Sequence, residues 1–405
     1  MENIKDIAID QYNYVLPNDR IAKYPLQKRD QSKLLIVANG HISDDTFQHI
    51  GNHLPHGAKL IANETKVVQA RILFRKTSGA IIEIFCLEPL SQMMDYQLAF
   101  ASESPVSWRC LVGNSKRWKS GPVEKKLLIE NKTIQLRATR TTKNIDHSVI
   151  EFSWDNQGIS FAQILEACGE VPLPPYLNRA AEEDDKNTYQ TIYAQHHGSV
   201  AAPTAGLHFT EELLNNLDNQ GFIFSNLTLH VGAGTFKPVV SDTIGEHEMH
   251  AETMTISRAF LYQLKAELDK PIIAVGTTTM RTLESLYWFG LMINEQSDMR
   301  PSLDQWTPYI STKQHISVEK SIQNILDYLD HKQLDQFTAQ TSLMIAPGYH
   351  FKIVKGLITN FHQPKSTLLL LVAALIGEQW KKAYEYALNH EFRFLSYGDS
   401  CLFIP

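Results

Sequence analysis

The 405-residue sequence has only four cysteines, and no two of them are spaced as Cys-x-x-Cys. This scatter argues against a disulfide framework or a zinc knuckle and is typical of reduced thiols in the cytoplasm. Long apolar runs are also absent. The longest, from Leu368 to Ile376, is far shorter than the roughly 20 residues that a membrane-spanning helix needs. We therefore expect a cytoplasmic, globular protein with no membrane contact.

The sequence also has no excess of basic residues, since its net charge is −6. Taken alone, this charge argues against nucleic-acid binding. The charge is unevenly distributed, however. The segment from Arg109 to Lys143 has ten basic and two acidic residues and carries +8, which leaves −14 on the remainder. Such asymmetry predicts a face that meets a polyanion. The alternative is a solvated surface with a chance excess of lysine.

Five of these basic residues surround Gly113 and Gly121, and we expect them on exposed turns: Lys116, Arg117, Lys119, Lys125 and Lys126. Trp108 and Trp118 lie beside them. Either tryptophan could stack on an unpaired RNA base, since single-stranded RNA is often recognised in this way. The alternative for both is packing inside a barrel.

The sequence between residues 71 and 152 differs in texture from its flanks. Short apolar–polar alternations are separated by Gly79, Gly113, Gly121 and Asn131, which predicts a small antiparallel β-barrel. From residue 159 onward, helical and strand patterns alternate instead. The predicted fold is α/β, with a main domain of residues 1–70 and 153–405 that is interrupted by an inserted β-barrel domain of residues 71–152.

Local signals predict several elements of the main domain. Thr210 can cap a helix that Gly221 ends, and the strand that follows carries Ile223, Leu227 and Leu229 on one face. Within residues 291–342, an amphipathic helix is predicted from Val318, Ile322, Ile325, Leu326 and Leu329. We expect this segment to pack one helix on the main domain, with a partner surface as the alternative.

Two predicted turns follow strands and begin helices, at residues 275–279 and 359–367. Ligands of open α/β sheets bind beyond the carboxyl ends of strands, and free N–H groups at the next helix start favour anions. Thr277 and Thr278 could therefore either bind a carboxylate or act only as helix caps. The loop at 198–209 contains Gly206 and His208, and it is either a ligand-binding loop or a tight buried one.

A second histidine cluster contains His247, Glu248, His250 and Glu252. His-x-x-His does not place both rings on one helix face and no cysteine lies near, so we expect no metal. An acid–base or ribose-binding role and a structural hydrogen-bonded pair remain as alternatives. Gly232-Ala233-Gly234 lacks the third glycine of a dinucleotide fingerprint, which argues against a nicotinamide or flavin site.

Several motifs occur in one order along nearly the whole chain. They are GSVAAPTAGLHF at 198–209, VPLPPY at 171–176, YQTIYA at 189–194, TLHVGAGTFKPV at 228–239, HEMHAE at 247–252, AVGTTTMRTLES at 274–285, LITNFHQP at 357–364 and FLSYGD at 394–399. With these motifs the chain closely resembles the S-adenosylmethionine:tRNA ribosyltransferase-isomerases of queuosine biosynthesis.

The resemblance implies an unusual reaction. S-adenosylmethionine donates its ribosyl part to the aminomethyl group of a 7-deazaguanine at the wobble position of a tRNA anticodon. Adenine and methionine leave, and the sugar is rearranged to an epoxycyclopentane. S-adenosylmethionine is then a substrate, and no permanently bound cofactor or metal is implied. The partners are this tRNA and S-adenosylmethionine, and we expect a monomer.

Such chemistry needs a base beside the sulfonium and a donor for the departing adenine, and histidine suits both tasks. The candidate catalytic residues are His208, His230, His250, His362 and Asp399, with base and acid unassigned. The candidate substrate-binding residues are Pro203, Thr204, Gly206, Phe209, Gly232, Gly234, Thr235, Glu252, Thr277, Thr278, Arg281, Asn360 and Tyr397.

The chain departs from the family pattern at Glu64, Gln69, Gln363 and Ser400-Cys401. The resemblance also implies a shorter connection where this chain has residues 291–342, so we interpret that segment as an insertion atypical of the family. These departures leave two alternatives to the standard enzyme. One is a diverged paralogue that uses S-adenosylmethionine on another nucleoside or RNA. The other is a non-catalytic tRNA-binding relative, against which the retained polar motif residues argue.

Overall fold

The computed structural model describes residues 4–90, 96–144, 147–230, 239, 241–293, 301–311 and 316–405. The strands are β1 (Lys33–Ala38), β2 (His41–Thr46), β3 (Lys59–Asn63), β4 (Thr65–Val67), β5 (Arg71–Arg75), β6 (Ile81–Pro89), β7 (Val106–Gly113), β8 (Val123–Ile129), β9 (Lys132–Lys143), β10 (Ser148–Ser153), β11 (Gly169–Glu170), β12 (His196–Ser199), β13 (Ile223–His230), β14 (Glu252–Ser257), β15 (Ile272–Val275), β16 (Ser302–Leu303), β17 (Gln336–Thr341), β18 (Gly356–Asn360) and β19 (Ser400–Ile404).

The α-helices are α1 (Tyr96–Ala101), α2 (Phe161–Cys168), α3 (Asp185–Thr188), α4 (Glu211–Asn219), α5 (Arg258–Ala266), α6 (Thr277–Ile293), α7 (Thr307–Ile310), α8 (Val318–Lys332), α9 (Thr367–Ile376) and α10 (Gln379–Asn389). Local capping explains where several of them begin. The side chains of Ser160, Thr210, Ser257, Ser317 and Ser366 each accept a hydrogen bond from a backbone N–H in the first turn that follows.

The main sheet has ten described strands in the order β16-β17-β14-β13-β3-β15-β18-β19-β1-β2. Its centre, β13, β3, β15 and β18, is parallel, and antiparallel neighbours flank it on both sides. Side chains alternate between two cores. Leu35 and Val37 pack into the larger core with α6, α8 and α9, whereas Leu34 and Ile36 face the smaller core with α4. Both faces are therefore covered, as parallel strands require.

The second sheet is antiparallel, with the order β11-β5-β6-β7-β10-β9-β8. The sheet is curled, because its edge strand β8 contacts β5. It is not closed into a barrel, because β8 and β11 remain as its two edges. It has a core of its own, in which Phe161 of α2 packs against Phe152, Trp108 and Trp154. The mixed α/β content that the sequence predicts is confirmed. The sheet also takes β11, which follows the predicted boundary at residue 152.

The segment 291–342 contributes more than the predicted helix. The predicted amphipathic helix is α8, and its apolar residues Ile322, Ile325, Leu326 and Leu329 are fully buried. In addition, β17 pairs along its whole length with β14, from Glu252↔Thr341 to Ser257↔Gln336. The segment is therefore built into the main sheet. Among the described residues, no helix is both long and apolar enough to span a membrane.

The parallel centre of the main sheet determines where a site can form. β15 ends at Val275 and β18 ends at Asn360, and both strands point to the same edge of the sheet. The N-terminus of α6 follows β15 directly, and the loop that follows β18 leads into α9. This carboxyl edge is where open α/β sheets bind their ligands.

Candidate functional site

A cavity of about 770 Å³ lies at this carboxyl edge. Five of the motifs quoted above meet around it: VPLPPY, GSVAAPTAGLHF, AVGTTTMRTLES, LITNFHQP and FLSYGD. It is lined by Tyr176, Ala201, Ala202, Pro203, Thr204, Ala205, Gly276, Thr277, Thr278, Thr359, Asn360, Phe361, His362, Gln363, Ser366, Leu368, Leu395 and Ser396. The structure thus brings together six of the residues predicted from sequence: Pro203, Thr204, Thr277, Thr278, Asn360 and His362.

The first turn of α6 forms one wall of the cavity. Gly276 has a φ of +94°, a conformation that side-chain-bearing residues rarely adopt, and it allows the chain to pass directly from β15 into the helix. Thr277 and Thr278 follow it and line the cavity, whereas Thr279 is turned inward and donates its hydroxyl to the Val275 carbonyl over 2.7 Å. The two threonines that line the cavity and the free N–H groups of this turn make a site that favours an anionic group.

Asn360 links the cavity wall to His208. Its Nδ2 donates to the Leu395 carbonyl over 3.1 Å and lies 3.2 Å from His208 Nε2, while its Oδ1 is buried without a hydrogen-bond partner among the described residues. His208 Nδ1 lies 2.8 Å from Ser32 Oγ, and the ring packs on Phe47. Both nitrogens of His208 are therefore held by the protein.

His362 is the histidine that lines the cavity. Its Nε2 lies 3.0 Å from Thr359 Oγ1. The backbone is fixed on both sides, since its N–H donates to the Tyr384 hydroxyl over 3.0 Å and its carbonyl accepts from the Tyr14 hydroxyl over 2.5 Å. Burial lowers the pKa of His362 to about 3. The ring is neutral at physiological pH and can accept a proton.

Burial is also the main cause that lowers the pKa of His208 to about 4. Neither of these two histidines is an imidazolium at neutral pH, so neither can serve as a cationic acid in this state. The near-neutral pKa that the chemistry favours is therefore not found at either ring.

Arg281 and Glu252 form a buried ion pair beside the cavity, not within its lining. Arg281 Nη2 donates to Glu252 Oε2. Burial lowers the pKa of Arg281 to about 10, and its Nε has no hydrogen-bond partner among the described residues. Glu252 begins β14, next to the end of β13, so the pair joins the first turns of α6 to the edge of the parallel strands.

The other candidates lie apart from the cavity lining. His230 is buried at the end of β13, where a side chain at position 198 would collide with its ring. His250 is exposed. Gly232, Gly234 and Thr235 lie outside the described residues. Within the described ranges, no group of three His, Cys, Asp or Glu side chains is arranged to hold a metal ion.

Four further candidates contact other parts of the fold and do not line the cavity. Asp399 accepts hydrogen bonds from the backbone N–H groups of Lys33 and Arg393, at 3.2 and 2.8 Å. The Tyr397 hydroxyl donates to Asp185 Oδ1 over 3.0 Å. Gly206 leaves room for the Tyr193 hydroxyl, with which any side chain at position 206 would collide. Phe209 packs in the smaller core against Phe47 and Phe224.

The departures from the family pattern fall in two places. Gln363 lines the cavity, and the Ser400 hydroxyl donates to the Thr359 carbonyl beneath it. Glu64 lies farther along the sheet edge, where the Thr228 hydroxyl donates to it over 3.3 Å and burial raises its pKa. Gln69 has a buried Oε1 without a hydrogen-bond partner among the described residues. Of these positions, Gln363 is the one that a bound substrate would meet.

The basic segment lies on β7, β8, β9 and their turns. Lys116, Arg117, Lys119 and Lys126 are exposed, whereas Lys125 is half-buried and donates to the Cys168 carbonyl over 3.4 Å. Both tryptophans are buried. Trp118 donates its Nε1–H to the Gly121 carbonyl under the Arg140 guanidinium, and Trp108 packs against Phe100. Their surroundings favour the packing alternative over base stacking.

Several cavity residues were not singled out by the sequence interpretation. Tyr176, Thr359, Ser366 and Ser396 line the cavity, and Tyr176 and Ser396 contact each other through their hydroxyls at 2.5 Å. Three of them lie within the motifs that carry the family resemblance, and Ser366 follows one of these motifs closely. That location was the available signal, but no spacing rule shows that residues 176 and 396 meet.

Comparisons with known proteins agree across nearly the full length. The family model described as "Queuosine biosynthesis protein" matches residues 9–403. Proteins named S-adenosylmethionine:tRNA ribosyltransferase-isomerase from Halothermothrix orenii and Trichlorobacter lovleyi are each 35% identical, and each alignment covers 98% of this chain and 100% of the relative. A protein of the same name from a Nostoc strain is 36% identical over 99% of this chain and 92% of its own length. The crystal structure of S-adenosylmethionine tRNA ribosyltransferase from Thermotoga maritima, 26% identical, covers 97% of this chain and is itself covered completely, with a TM-score of 0.46.

Proposed function

This chain belongs to the queuosine biosynthesis family of proteins, and from that premise we propose that it is an S-adenosylmethionine:tRNA ribosyltransferase-isomerase. It transfers the ribosyl part of S-adenosylmethionine to the aminomethyl group of a 7-deazaguanine in tRNA, rearranges the sugar, and releases adenine and methionine. The observation that supports this activity most strongly is the convergence of five family motifs on one cavity at the carboxyl edge of the parallel strands.

In this proposal the donor occupies the cavity with its methionine carboxylate at the first turn of α6. Thr277 and Thr278 supply hydroxyl donors there, and the free N–H groups of the helix start favour a negative charge. The apolar residues Ala201, Ala202 and Leu395 form the walls, which exclude water from the reactive sugar. The donor is thus held by side chains and backbone groups of this chain.

We assign the base to His362. The sulfonium acidifies the neighbouring 5′ carbon, and His362 is the histidine that lines the cavity and is unprotonated at neutral pH, although a pKa of about 3 makes it a weak base for this step. The Nε2 hydrogen bond with Thr359 leaves the Nδ1 lone pair for this task when Nε2 carries the hydrogen. Asn360, held by His208 and Leu395, fixes the wall next to this ring.

Residues 71–152 form, in this proposal, an inserted domain that grips the tRNA backbone. Lys116, Arg117 and Lys119 are exposed together on the turn after β7 and have no ion pair with a described residue. Phosphate contacts need such unpaired cations. The modified nucleotide is the wobble position of the anticodon, and the protein acts as a monomer in the cytoplasm.

Adenine release from S-adenosylmethionine tests the activity and the base together. We expect release that depends on deazaguanine-modified tRNA, and a loss of at least a hundredfold in His362→Ala, which is within the usual contribution of one acid–base group. His331→Ala, on the exposed surface of α8, is the matched control and should keep the wild-type rate. A wild-type protein that binds tRNA without releasing adenine would be a non-catalytic relative instead.

A further inference from the structure

A smaller pocket of about 280 Å³ adjoins the cavity on the far side of the Asn360–His208 hydrogen bond. The two spaces share Ser396 in their linings. The pocket is lined by Pro25, Leu26, Arg29, Ser32, Thr188, Leu207, His208, Arg393, Ser396, Tyr397 and Gly398. Leu26 is exposed at its mouth, so the pocket opens to solvent.

The charge of this pocket is positive. Arg29 and Arg393 are its charged side chains, and no aspartate or glutamate is among the described residues that line it. The Arg29 guanidinium is held by backbone carbonyls, Gln190 O at 2.7 Å and Asn187 O at 2.9 Å, rather than by a carboxylate. Neutral carbonyls orient a guanidinium without neutralising it.

Arg393 is only partly neutralised. Its Nη2 lies 3.2 Å from Asp399 Oδ1, but that carboxylate also accepts backbone N–H groups from Lys33 and Arg393 itself. The positive charges of the two guanidinium groups also act on the pKa of His208. Burial is the largest cause of its low pKa, and the charges of Arg393 and Arg29 lower it further.

Ser32 adds a neutral donor to the two cations. The Leu395 carbonyl fixes the orientation of the Asn360 amide, so the Asn360 Nδ2 donates to His208 Nε2 and the hydrogen of this neutral ring lies on Nδ1. The Nδ1–H group then has Ser32 Oγ as an acceptor at 2.8 Å, and the His208 ring also forms a hydrogen bond with the Arg29 backbone. The Ser32 hydroxyl hydrogen is left to donate to a further acceptor at the pocket wall.

We propose that this pocket is an anion-binding subsite, which takes a backbone phosphate of the RNA substrate beside the nucleotide that is modified. The inference rests on the proposed function and adds a second RNA contact, on the main sheet rather than on the basic turns of the second sheet. Two guanidinium groups and a hydroxyl match the oxygens of a phosphodiester. The pocket is separated from the neighbouring cavity by the Asn360–His208 pair, and the two spaces share Ser396 in their linings.

Two variants test the subsite without removing the scaffold. Arg393→Gln removes one cation but keeps the backbone hydrogen bond from residue 393 to Asp399. Leu26→Glu adds a negative charge at the exposed mouth. For each, we expect tRNA affinity to fall roughly tenfold at low salt, and for Arg393→Gln the slope of log affinity against log salt to become shallower by about 0.7 to 0.9. Leu334→Glu places the same new charge at another exposed leucine and should bind tRNA like the wild type.

S-adenosylmethionine binding, measured by calorimetry on the same proteins, separates the two sources of an anion. Unchanged donor affinity together with weakened tRNA binding supports the phosphate assignment. Weakened donor affinity with normal tRNA binding would assign the pocket to the methionine carboxylate and overturn the proposal, as would wild-type binding of both substrates in Arg393→Gln and Leu26→Glu. A wild-type protein that binds tRNA but releases no adenine contradicts the proposed function alone.

Discussion

At the scale of single residues, the site contains buried polar side chains that form hydrogen bonds with one another. Asn360 and His208 are one such pair and Arg281 and Glu252 are another. Each member is within a tenth of complete burial, so each depends on its partner to offset the loss of water. This mutual dependence decides what a substitution does, because removal of one member leaves the other buried and unsatisfied.

Arg281 and Glu252 allow the dependence to be measured. Arg281→Met leaves the Glu252 carboxylate buried without its cation, and we expect the free energy of unfolding to fall by about 3 to 5 kcal/mol. The double variant Arg281→Met/Glu252→Leu removes both charges and should recover most of that loss. Urea unfolding of the single and double variants measures the difference. Equal free energies of unfolding for the single and the double variant would mean that the ion pair is solvated in solution.

The buried histidines predict how stability depends on pH. Burial lowers the pKa of His362 to about 3, from 6.5 when the ring is free. Between pH 6.5 and about 3 the unfolded chain therefore binds a proton that the folded protein does not, and the free energy of unfolding falls with decreasing pH by up to roughly 1.4 kcal/mol per pH unit. We expect this fall to be less steep by that amount in His362→Asn, in urea titrations between pH 6 and 4.5. Parallel curves for the two proteins would contradict the buried, neutral ring.

At the scale of elements, the start of α6 and the end of β18 both line the cavity, and Glu284 links α6 to the turn before β18. This carboxylate is fully buried in α6 and accepts hydrogen bonds from the Tyr349 hydroxyl and from the backbone N–H groups of Lys352, Ile353 and Val354, all at 2.8 to 2.9 Å. The three N–H groups belong to the turn that leads into β18 and therefore to Asn360.

Glu284→Gln tests this link with almost no change of shape. The new amide nitrogen points hydrogens at backbone N–H groups, so at least one buried donor loses its acceptor, and we expect a loss of about 1 to 3 kcal/mol in the free energy of unfolding. A more sensitive readout is the KM for S-adenosylmethionine, which should rise because both cavity walls shift. Glu319→Gln on the exposed first turn of α8 is the control. Wild-type stability and KM in Glu284→Gln would show that the turn does not need the carboxylate.

The elements that can be predicted from the sequence are those with local signals. Thr210 caps α4, the alternation from Ile223 to Leu229 is β13, and α8 follows its apolar spacing. The pairing of β17 with β14 carries no such signal, because it joins positions about 80 residues apart. The same limit applies at the site. The turns at Thr277 and Asn360 follow predicted strands, whereas Ser32 beside His208 and Arg281 beside Glu252 are products of the tertiary fold.

At the scale of the whole molecule, the proposed function needs two surfaces that act on one tRNA. The basic turn at Lys116, Arg117 and Lys119 lies on the second sheet, and the cavity lies on the main sheet. A protein with net charge −6 can bind a polyanion only if such a local positive face outweighs the rest of the surface.

Charge reversal at the basic turn tests this division. In Lys116→Glu/Arg117→Glu/Lys119→Glu, we expect weaker tRNA binding and a salt slope shallower by about 0.7 to 0.9 for each phosphate that the variant no longer neutralises. Binding of S-adenosylmethionine should not change, because these residues take no part in the cavity lining. Unchanged tRNA affinity in this triple variant would place the main RNA surface on the main sheet, around Arg29.

The central claim is that the chain transfers and rearranges the ribosyl part of S-adenosylmethionine on tRNA. Its most direct test is mass spectrometry of the nucleosides from tRNA that carries 7-aminomethyl-7-deazaguanine, after incubation with the protein and S-adenosylmethionine. We predict a single new nucleoside that carries the rearranged epoxycyclopentane unit on the deazaguanine, in amounts equal to the adenine and methionine released. A methylated nucleoside, or an unchanged deazaguanine with intact donor, would contradict the account.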